Sequence, residues 1–243
     1  QAIRRLRNAG LARMAISLDG ADAISHDALQ GVEGSFRRSL RILSDARDAG
    51  IPTQVNTTLT PANVDQIEKL ADLLARLEVV AWSLLFPVPL EGGTQLTRLN
   101  GTQCESAFAR IWREAQRQPY AVHATEAPHY RRYAIQHQLS QSMRPHHSPE
   151  PTAYVPIGPN DGKGVMFVSH AGLVYPSGLL PILCGVFPRQ HVVQIYQESP
   201  IFRALRDTER LEGKCHVCEF RHLCGGSRAR AYAVTGNLFA QEP

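Results

Sequence analysis

Short apolar runs alternate with longer helical stretches through the first half of this chain, and no other feature limits its fold as much. Residues 13–18, 53–59, 79–86 and 120–125 read as strands. Phe36, Leu40 and Leu43 mark one face of a helix over 35–49, stopped by Gly50-Ile51-Pro52. Val64, Ile67, Leu70, Leu74 and Leu77 mark a second, opened by Pro61-Ala62-Asn63. Cys104, Phe108, Ile111 and Ala115 mark a third, and another follows Pro128. Ile3, Leu6 and Leu11 place a helix at the start of the chain, with Gly10 just past its end. Parallel strands need such crossovers, so the alternation implies an α/β fold with a parallel sheet. A closed eight-stranded barrel takes about 250 residues. Four units therefore make an open, partial parallel βα barrel.

The strands carry a second pattern. Met14, Ile16 and Leu18 alternate with Ala15, Ser17 and Asp19, and Val55, Thr57 and Leu59 alternate with Gln54, Asn56 and Thr58. One face meets helices, while the other carries small polar groups suited to a wet cavity or a polar ligand. Ser17 and Asp19 fall at a C-terminal strand end, where parallel α/β proteins bind ligands. Asp19-Gly20 is equally readable as a turn.

A boundary follows. Residues 140–164 hold two Pro/Gly-rich runs and read as a linker or an active-site loop. The expected organisation is a barrel portion over 1–142, a linker over 143–164 and a smaller second unit over 165–243. In that unit, 165–169 and 173–175 read as a hairpin, 201–210 as a helix, and 228–234 as a short helix capped by Gly236.

Composition excludes several classes. Of 243 residues, 43% are hydrophobic and 20% charged, which is ordinary for a soluble globular protein. The net charge of +4 comes with no long basic run and no aromatic-interleaved patch, so no nucleic-acid partner is expected. No apolar stretch is long enough for a membrane helix. Five cysteines, three of them clustered, argue against a disulfide framework and for a reducing cytoplasm.

Those three are Cys215, Cys218 and Cys224, in Cys-His-Val-Cys-Glu-Phe-Arg-His-Leu-Cys-Gly-Gly. The spacing lets one loop aim three thiolates at a single point, as at a metal ion or an iron–sulfur cluster. Zinc would take the three thiolates with His222, which is better placed than His216 between two ligands. A cluster would need a fourth ligand from elsewhere. Cys184 lies in an apolar run and Cys104 on a helix stripe, so both read as packing residues.

Residues 215–226, preceded by Tyr175-Pro-Ser-Gly178 and Ile195-Tyr-x-x-Ser199-Pro200, resemble the SPASM/twitch extension of radical S-adenosylmethionine (SAM) enzymes. The tail from Gly225 to Gly236 is similar to the branch that includes the haem d1 and alternative haem b biosynthesis proteins. Ile16-Ser-Leu-Asp-Gly20, Gly31-Val-Glu-Gly-Ser-Phe36 and Trp82-Ser-Leu-Leu-Phe-Pro87 resemble later strands and turns of the radical SAM partial barrel. The likeness covers nearly the whole chain.

This resemblance implies an oxidoreductase or maturase that forms a 5′-deoxyadenosyl radical from SAM at a catalytic [4Fe–4S] cluster. A reductant such as flavodoxin or ferredoxin would supply electrons. The family's Cys-x3-Cys-x2-Cys triplet does not occur in this sequence, so the chain reads as the latter part of such an enzyme and, alone, as inactive. Cys215, Cys218 and Cys224 match ligands of an auxiliary [4Fe–4S] cluster. The fourth ligand usually follows an Asp-Pro or Glu-Pro pair; here Glu242-Pro243 ends the sequence. Ser177 and Ser227 stand where two-cluster members place cysteines. Ser17 and Asp19 match positions lining the SAM site, and Asn56 is a further candidate.

For the substrate, a haem-pathway enzyme would act on tetrapyrrole propionates, which Arg recognises well. Arg131, Arg132, Arg228 and Arg230 are available, and Glu126, His129 and Tyr130 follow a strand where they could face substrate. The alternatives are a ribosomal-peptide maturase and a non-catalytic zinc-binding interaction module.

Overall fold

The computed structural model describes residues 2–89, 97–142 and 160–243, with side chains left aside at 139–142. The chain divides into two compact units. The first holds residues 1–87 and 96–125, and the second holds 126–149 and 154–243, with short segments exchanged between them. The division falls after Thr125, so the helix from Pro128 belongs with the second unit rather than the barrel portion.

The first unit carries β1 (Met14–Ser17), β2 (Thr53–Thr58), β3 (Ala81–Leu85) and β4 (Ala121–Thr125). They form one parallel sheet in sequence order, β1-β2-β3-β4. A doubly wound sheet reverses its strand order at a switch point. This one does not, as expected of a barrel segment. On one face α3 (Ser35–Asp48) packs against β1 and β2 and α5 (Gly101–Arg117) against β4, while α1 (Ala2–Asn8) and α2 (Ala23–Gln30) lie against α3 and α4 (Ile67–Arg76) against α5. Leu18, Leu43, Val55, Ile67, Leu70, Leu74, Trp82, Leu84, Phe108 and Ile111 are all fully buried there.

Local chemistry sets the helix ends. Asn100 and Gln103 form a reciprocal capping box at the start of α5. Helix α2 is absent from the sequence reading because its apolar stripe is weak. Its signals were caps: Asp22 accepts from the Ser25 N–H at 2.9 Å, and Gly31 closes it with φ +66°. From within α2, Asp27 accepts from the N–H of Gly34 and Phe36 and from the Ser35 hydroxyl, capping α3 in turn. These bonds, the Phe36 N–H foremost, hold the Asp27 carboxyl below the usual carboxylate range.

The second unit begins with α6 (Pro128–Ser142) and continues with an antiparallel three-stranded sheet of β5 (Phe167–Val168), β6 (Leu173–Tyr175) and β7 (Gly185–Val186). The β5–β6 hairpin follows the sequence reading. Strand β7 and helix α7 (Val192–Glu198) were not read from sequence, being too short for a period. Helix α8 (Pro200–Arg206) is shorter than expected; Asp207 starts a separate 3-10 turn. Next come α9 (Gly213–His216) and α10 (Arg228–Thr235), the latter capped by the Ser227 hydroxyl and by Gly236. Two small apolar groups hold this unit: Val174, Ile195 and Phe202, with Cys184 against them, and Leu180, Leu205 and Ala229. The linker expected at 143–164 lies largely outside the described residues. No helix among the described residues is long and apolar enough to cross a membrane.

Candidate functional site

In a parallel sheet, residues in register project from the same face. Ser17 pairs with Asn56, Asn56 with Ser83, and Ser83 with His123. These four side chains form one polar row across all four strands, on the face turned away from the apolar layer. One layer toward the N-terminal strand ends, Ala15, Gln54, Ala81 and Ala121 are in register. A closed barrel fills such layers with Val, Ile and Leu. Here three of the four are alanine, of which Ala81 is buried and Ala15 and Ala121 are exposed. Ser17 and His123 are exposed, and Asn56 and Ser83 are half-buried. The Asn56 amide oxygen accepts from Gln54 at 2.9 Å, and the Ser83 and Thr125 hydroxyls share a bond of 2.5 Å. The sequence reading named Ser17 and Asn56 but missed Ser83 and His123. The same alternation, continued through Trp82-Ser83-Leu84 and Val122-His123-Ala124, was the available signal.

Asp19 sits beyond the end of β1, only 5% exposed. Its carboxylate accepts from the Thr58 N–H at 2.6 Å and from the Gln30 amide. Its own N–H donates to His26 Nδ1 at 3.0 Å, and its carbonyl accepts from Asn63 at 2.8 Å. The residue ties β1, β2 and α2 together, so both of its carboxylate oxygens are already engaged by protein donors.

The cysteine loop of the second unit is held from beneath. Asn160 donates to the carbonyls of Cys224 and Gly226, at 3.1 and 2.7 Å. Asp161, nearly buried, accepts from Ser177 and from the Ala229 N–H at the start of α10. Two sulfurs accept backbone hydrogen bonds: Cys224 from Gly226 at 3.4 Å and Cys215 from Glu242 at 3.3 Å. Burial above all pushes the Cys224 thiol up to about 11. The Gly226 N–H opposes this, while Glu242, Cys215 and Cys218 add to it. The three thiols thus lie within electrostatic reach of one another, and none is in a disulfide. Among the described residues no three His, Cys, Asp or Glu side chains converge around one point as they would on a bound ion. His222, the alternative zinc ligand, shares its Nδ1 with the Thr208 hydroxyl at 2.9 Å.

The arginines read as substrate candidates are internal. Arg228 is 3% exposed and donates through Nη1 to the Leu238 and Ala240 carbonyls. Its Nη2 is buried beside Gly226 with no protein partner among the described residues. Arg230, 5% exposed, pairs with the Glu242 carboxylate and donates to the Glu126 carbonyl at 2.6 Å. Their spacing suggested solvated helix residues or an anion site. Both are instead folded inward, Arg228 onto carbonyls of the C-terminal segment and Arg230 onto the Glu242 carboxylate and the Glu126 carbonyl.

The other substrate candidates also lie in this unit. Burial raises the Glu126 carboxyl above its usual range, and Asp161 adds to this. Burial, then Arg230, Arg132 and Lys214, lowers the His129 imidazole to about 3, so it is neutral at physiological pH. Burial raises the Tyr130 phenol, whose ring stacks on Tyr133. Arg131 donates to the Leu223 carbonyl inside the cysteine loop, and Arg132 to Gln136.

A sequence-ordered parallel sheet with a polar row on one face has the strand order of a barrel segment. A family model described as the radical SAM superfamily matches residues 1–74. The AdoMet-dependent heme synthase of Methanosarcina barkeri is 36% identical over 245 residues, covering 99% of this chain and 69% of that protein. The chain belongs to the radical SAM superfamily, a superfamily of enzymes. The AdoMet-dependent heme synthase of Nitratidesulfovibrio vulgaris is likewise 36% identical, over 99% of this chain and 66% of its own length. A PqqA peptide cyclase of Methylocella silvestris is 28% identical over 99% of the chain and 62% of its own length. The chain thus spans about two thirds of the length of these relatives. The crystal structure of Streptococcus suis SuiB bound to S-adenosylmethionine superposes with a TM-score of 0.69 at 13% identity, covering 95% of this chain and 53% of SuiB. That likeness concerns the fold. Membership implies SAM and a [4Fe–4S] cluster as the chemistry of the family.

Proposed function

We propose that this chain is part of a radical SAM enzyme with a SPASM-type extension that oxidatively modifies a propionate-bearing tetrapyrrole in haem formation. The single observation that carries this reading is the 36% identity to two AdoMet-dependent heme synthases over 99% of the chain, cysteine loop included. Ser17 and Asn56 line the SAM side of the sheet face, and Asp19 frames it. Cys215, Cys218 and Cys224 hold an auxiliary [4Fe–4S] cluster, which when bound would accept and pass on single electrons. Three thiols on one loop are the right donor chemistry for such a group, although they do not converge on one point among the described residues. Two of the three sulfurs already accept backbone N–H bonds, which favour thiolate, and the buried Arg228 Nη2 lies beside the same loop. Glu126, His129 and Tyr130 have a weaker claim on substrate than the sheet face, because burial keeps them within the second unit.

The peptide-maturase reading draws on the PqqA peptide cyclases, whose identity to this chain is lower. The zinc-module reading predicts a colourless protein with one tightly bound ion. The test is anaerobic reconstitution of the full-length protein with iron and sulfide. The expected product is brown and loses about four irons per chain when Cys215, Cys218 and Cys224 are replaced by Ala. A colourless, zinc-loaded protein would sink the proposal. So would a cluster-loaded enzyme that yields no 5′-deoxyadenosine from SAM.

A further inference from the structure

One nitrogen of Arg228 is not used by the fold. The residue is 3% exposed, and its guanidinium is held on two sides. Nη1 donates to the Leu238 and Ala240 carbonyls at 2.9 and 2.8 Å, and Nε donates to the Gly226 carbonyl at 3.5 Å. Nη2, which carries two further hydrogens, is buried with no protein partner among the described residues. A buried cationic donor left unpaired costs stability, so its position calls for an acceptor from a bound group. The neighbouring carboxylate is already engaged: Glu242 accepts from Arg230 on one oxygen and from the Ser227 N–H on the other.

The surroundings of Nη2 say which bound group that is. A Cβ on Gly226 would stand 2.5 Å from it, and the Gly226 N–H donates to the Cys224 sulfur at 3.4 Å. The unpaired nitrogen thus lies against the residue that already bonds one of the three sulfurs. The segment braced by Nη1 runs on to Glu242, whose N–H donates to the Cys215 sulfur at 3.3 Å. Arg228 therefore touches the backbone that serves two of the three cysteines.

We propose that Arg228 Nη2 donates a hydrogen bond to a sulfur of the auxiliary iron–sulfur cluster and raises its reduction potential. This rests on the reading that Cys215, Cys218 and Cys224 hold such a cluster. Reduction adds negative charge, so a cationic donor beside the sulfurs stabilises the reduced form more than the oxidised one.

The test uses the full-length protein reconstituted anaerobically and titrated with reductant under EPR. The auxiliary signal is the one lost when Cys215, Cys218 and Cys224 are replaced by Ala. In Arg228→Gln its equilibrium constant for one-electron reduction should fall about tenfold, a potential lower by about 59 mV. Arg228→Lys, which keeps the charge, should fall less. Both variants also lose the Nη1 bonds, so a second measurement separates tuning from folding. With nitrogen-15 arginine in the wild type, pulsed EPR of the reduced auxiliary cluster should show a weak coupling to that nitrogen. The coupling should survive Arg131→Lys, whose arginine donates to the Leu223 carbonyl of the same loop, and vanish in Arg228→Gln. Should Arg228→Gln retain no iron, the wild-type and Arg131→Lys spectra decide. An unchanged potential in Arg228→Gln would overturn the inference, as would a wild-type spectrum without the coupling or a coupling lost in Arg131→Lys. Failure of the parent reading looks different. A wild-type protein with no cluster signal that depends on the three cysteines overturns that reading and this inference with it.

Discussion

Thr58 donates its backbone N–H to the Asp19 carboxylate at 2.6 Å, joining residues 39 positions apart. That bond, with the Gln30 amide on the other oxygen, fixes the C-terminal ends of β1 and β2, where the polar row begins. Asp19→Ala leaves the Thr58 N–H and the Gln30 amide without their acceptor. It should cost about 2 kcal/mol in urea unfolding of the first unit. Asp19→Asn, which keeps one oxygen acceptor, should lose less. An unchanged midpoint in both variants would contradict the structural role.

Arg230 and Glu242 form the corresponding tie in the second unit. Their side chains are 6% and 12% exposed, so neither charge is well solvated alone. Arg230→Ala should destabilise this unit by about 3 kcal/mol, chiefly by stranding the Glu242 carboxylate. Adding Glu242→Ala should restore part of the loss, and a double-mutant cycle in guanidinium reads that coupling. Strictly additive losses would show that the pair does not act as one.

Gly226 adopts φ +63° directly after the cysteine loop. A Cβ there would stand 2.5 Å from Arg228 Nη2 and 3.0 Å from Glu242 Oε2. Gly226→Ala therefore meets both a left-handed backbone and a steric clash. It should cost about 2 kcal/mol and lower the iron retained after reconstitution. Gly236, with φ +73° and open space around it, supplies the control. Gly236→Ala should cost about 1 kcal/mol and leave iron content alone. Equal behaviour of the two variants would count against a role for Gly226 in shaping the loop.

His129 titrates near 3 rather than at its ordinary 6.5 because it is buried and faces Arg230, Arg132 and Lys214. Below about pH 6.5 the unfolded chain binds a proton that the folded one refuses. The stability His129 contributes is thus present above its unfolded value and is lost as pH falls toward 3. The loss is roughly 2 kcal/mol by about pH 5, at 1.4 kcal/mol per unit. Glu126, raised by burial, works in the opposite direction. The measurement is therefore the difference in stability between wild type and His129→Phe from about pH 7 to 5. The variant should lose less stability on acidification, whereas parallel curves would contradict the shift.

Some of these relationships were legible along the chain and others were not. Helices α3 to α6 and all four strands of the parallel sheet follow from apolar spacing and caps, which act between near neighbours. Helix α2 escaped because its only strong signals were the caps at Asp22 and Gly31. Strand β7 escaped because two residues cannot show a period. Arg228 and Arg230 looked like surface cations because their burial depends on the Leu238–Glu242 segment folding back over them.

By itself the sequence determined the strand–helix order, the spacing of the cysteine loop, and the likeness to radical SAM enzymes. Each of these is a property of residues close together in the chain, or of residue identity alone. Only the tertiary structure decided that Ser17, Asn56, Ser83 and His123 share one row, because strand register is set between segments far apart in sequence. It also decided that Asp19, Arg228 and Arg230 are engaged inside the fold. That depends on which carbonyls and carboxylates come within hydrogen-bonding reach once the chain has packed.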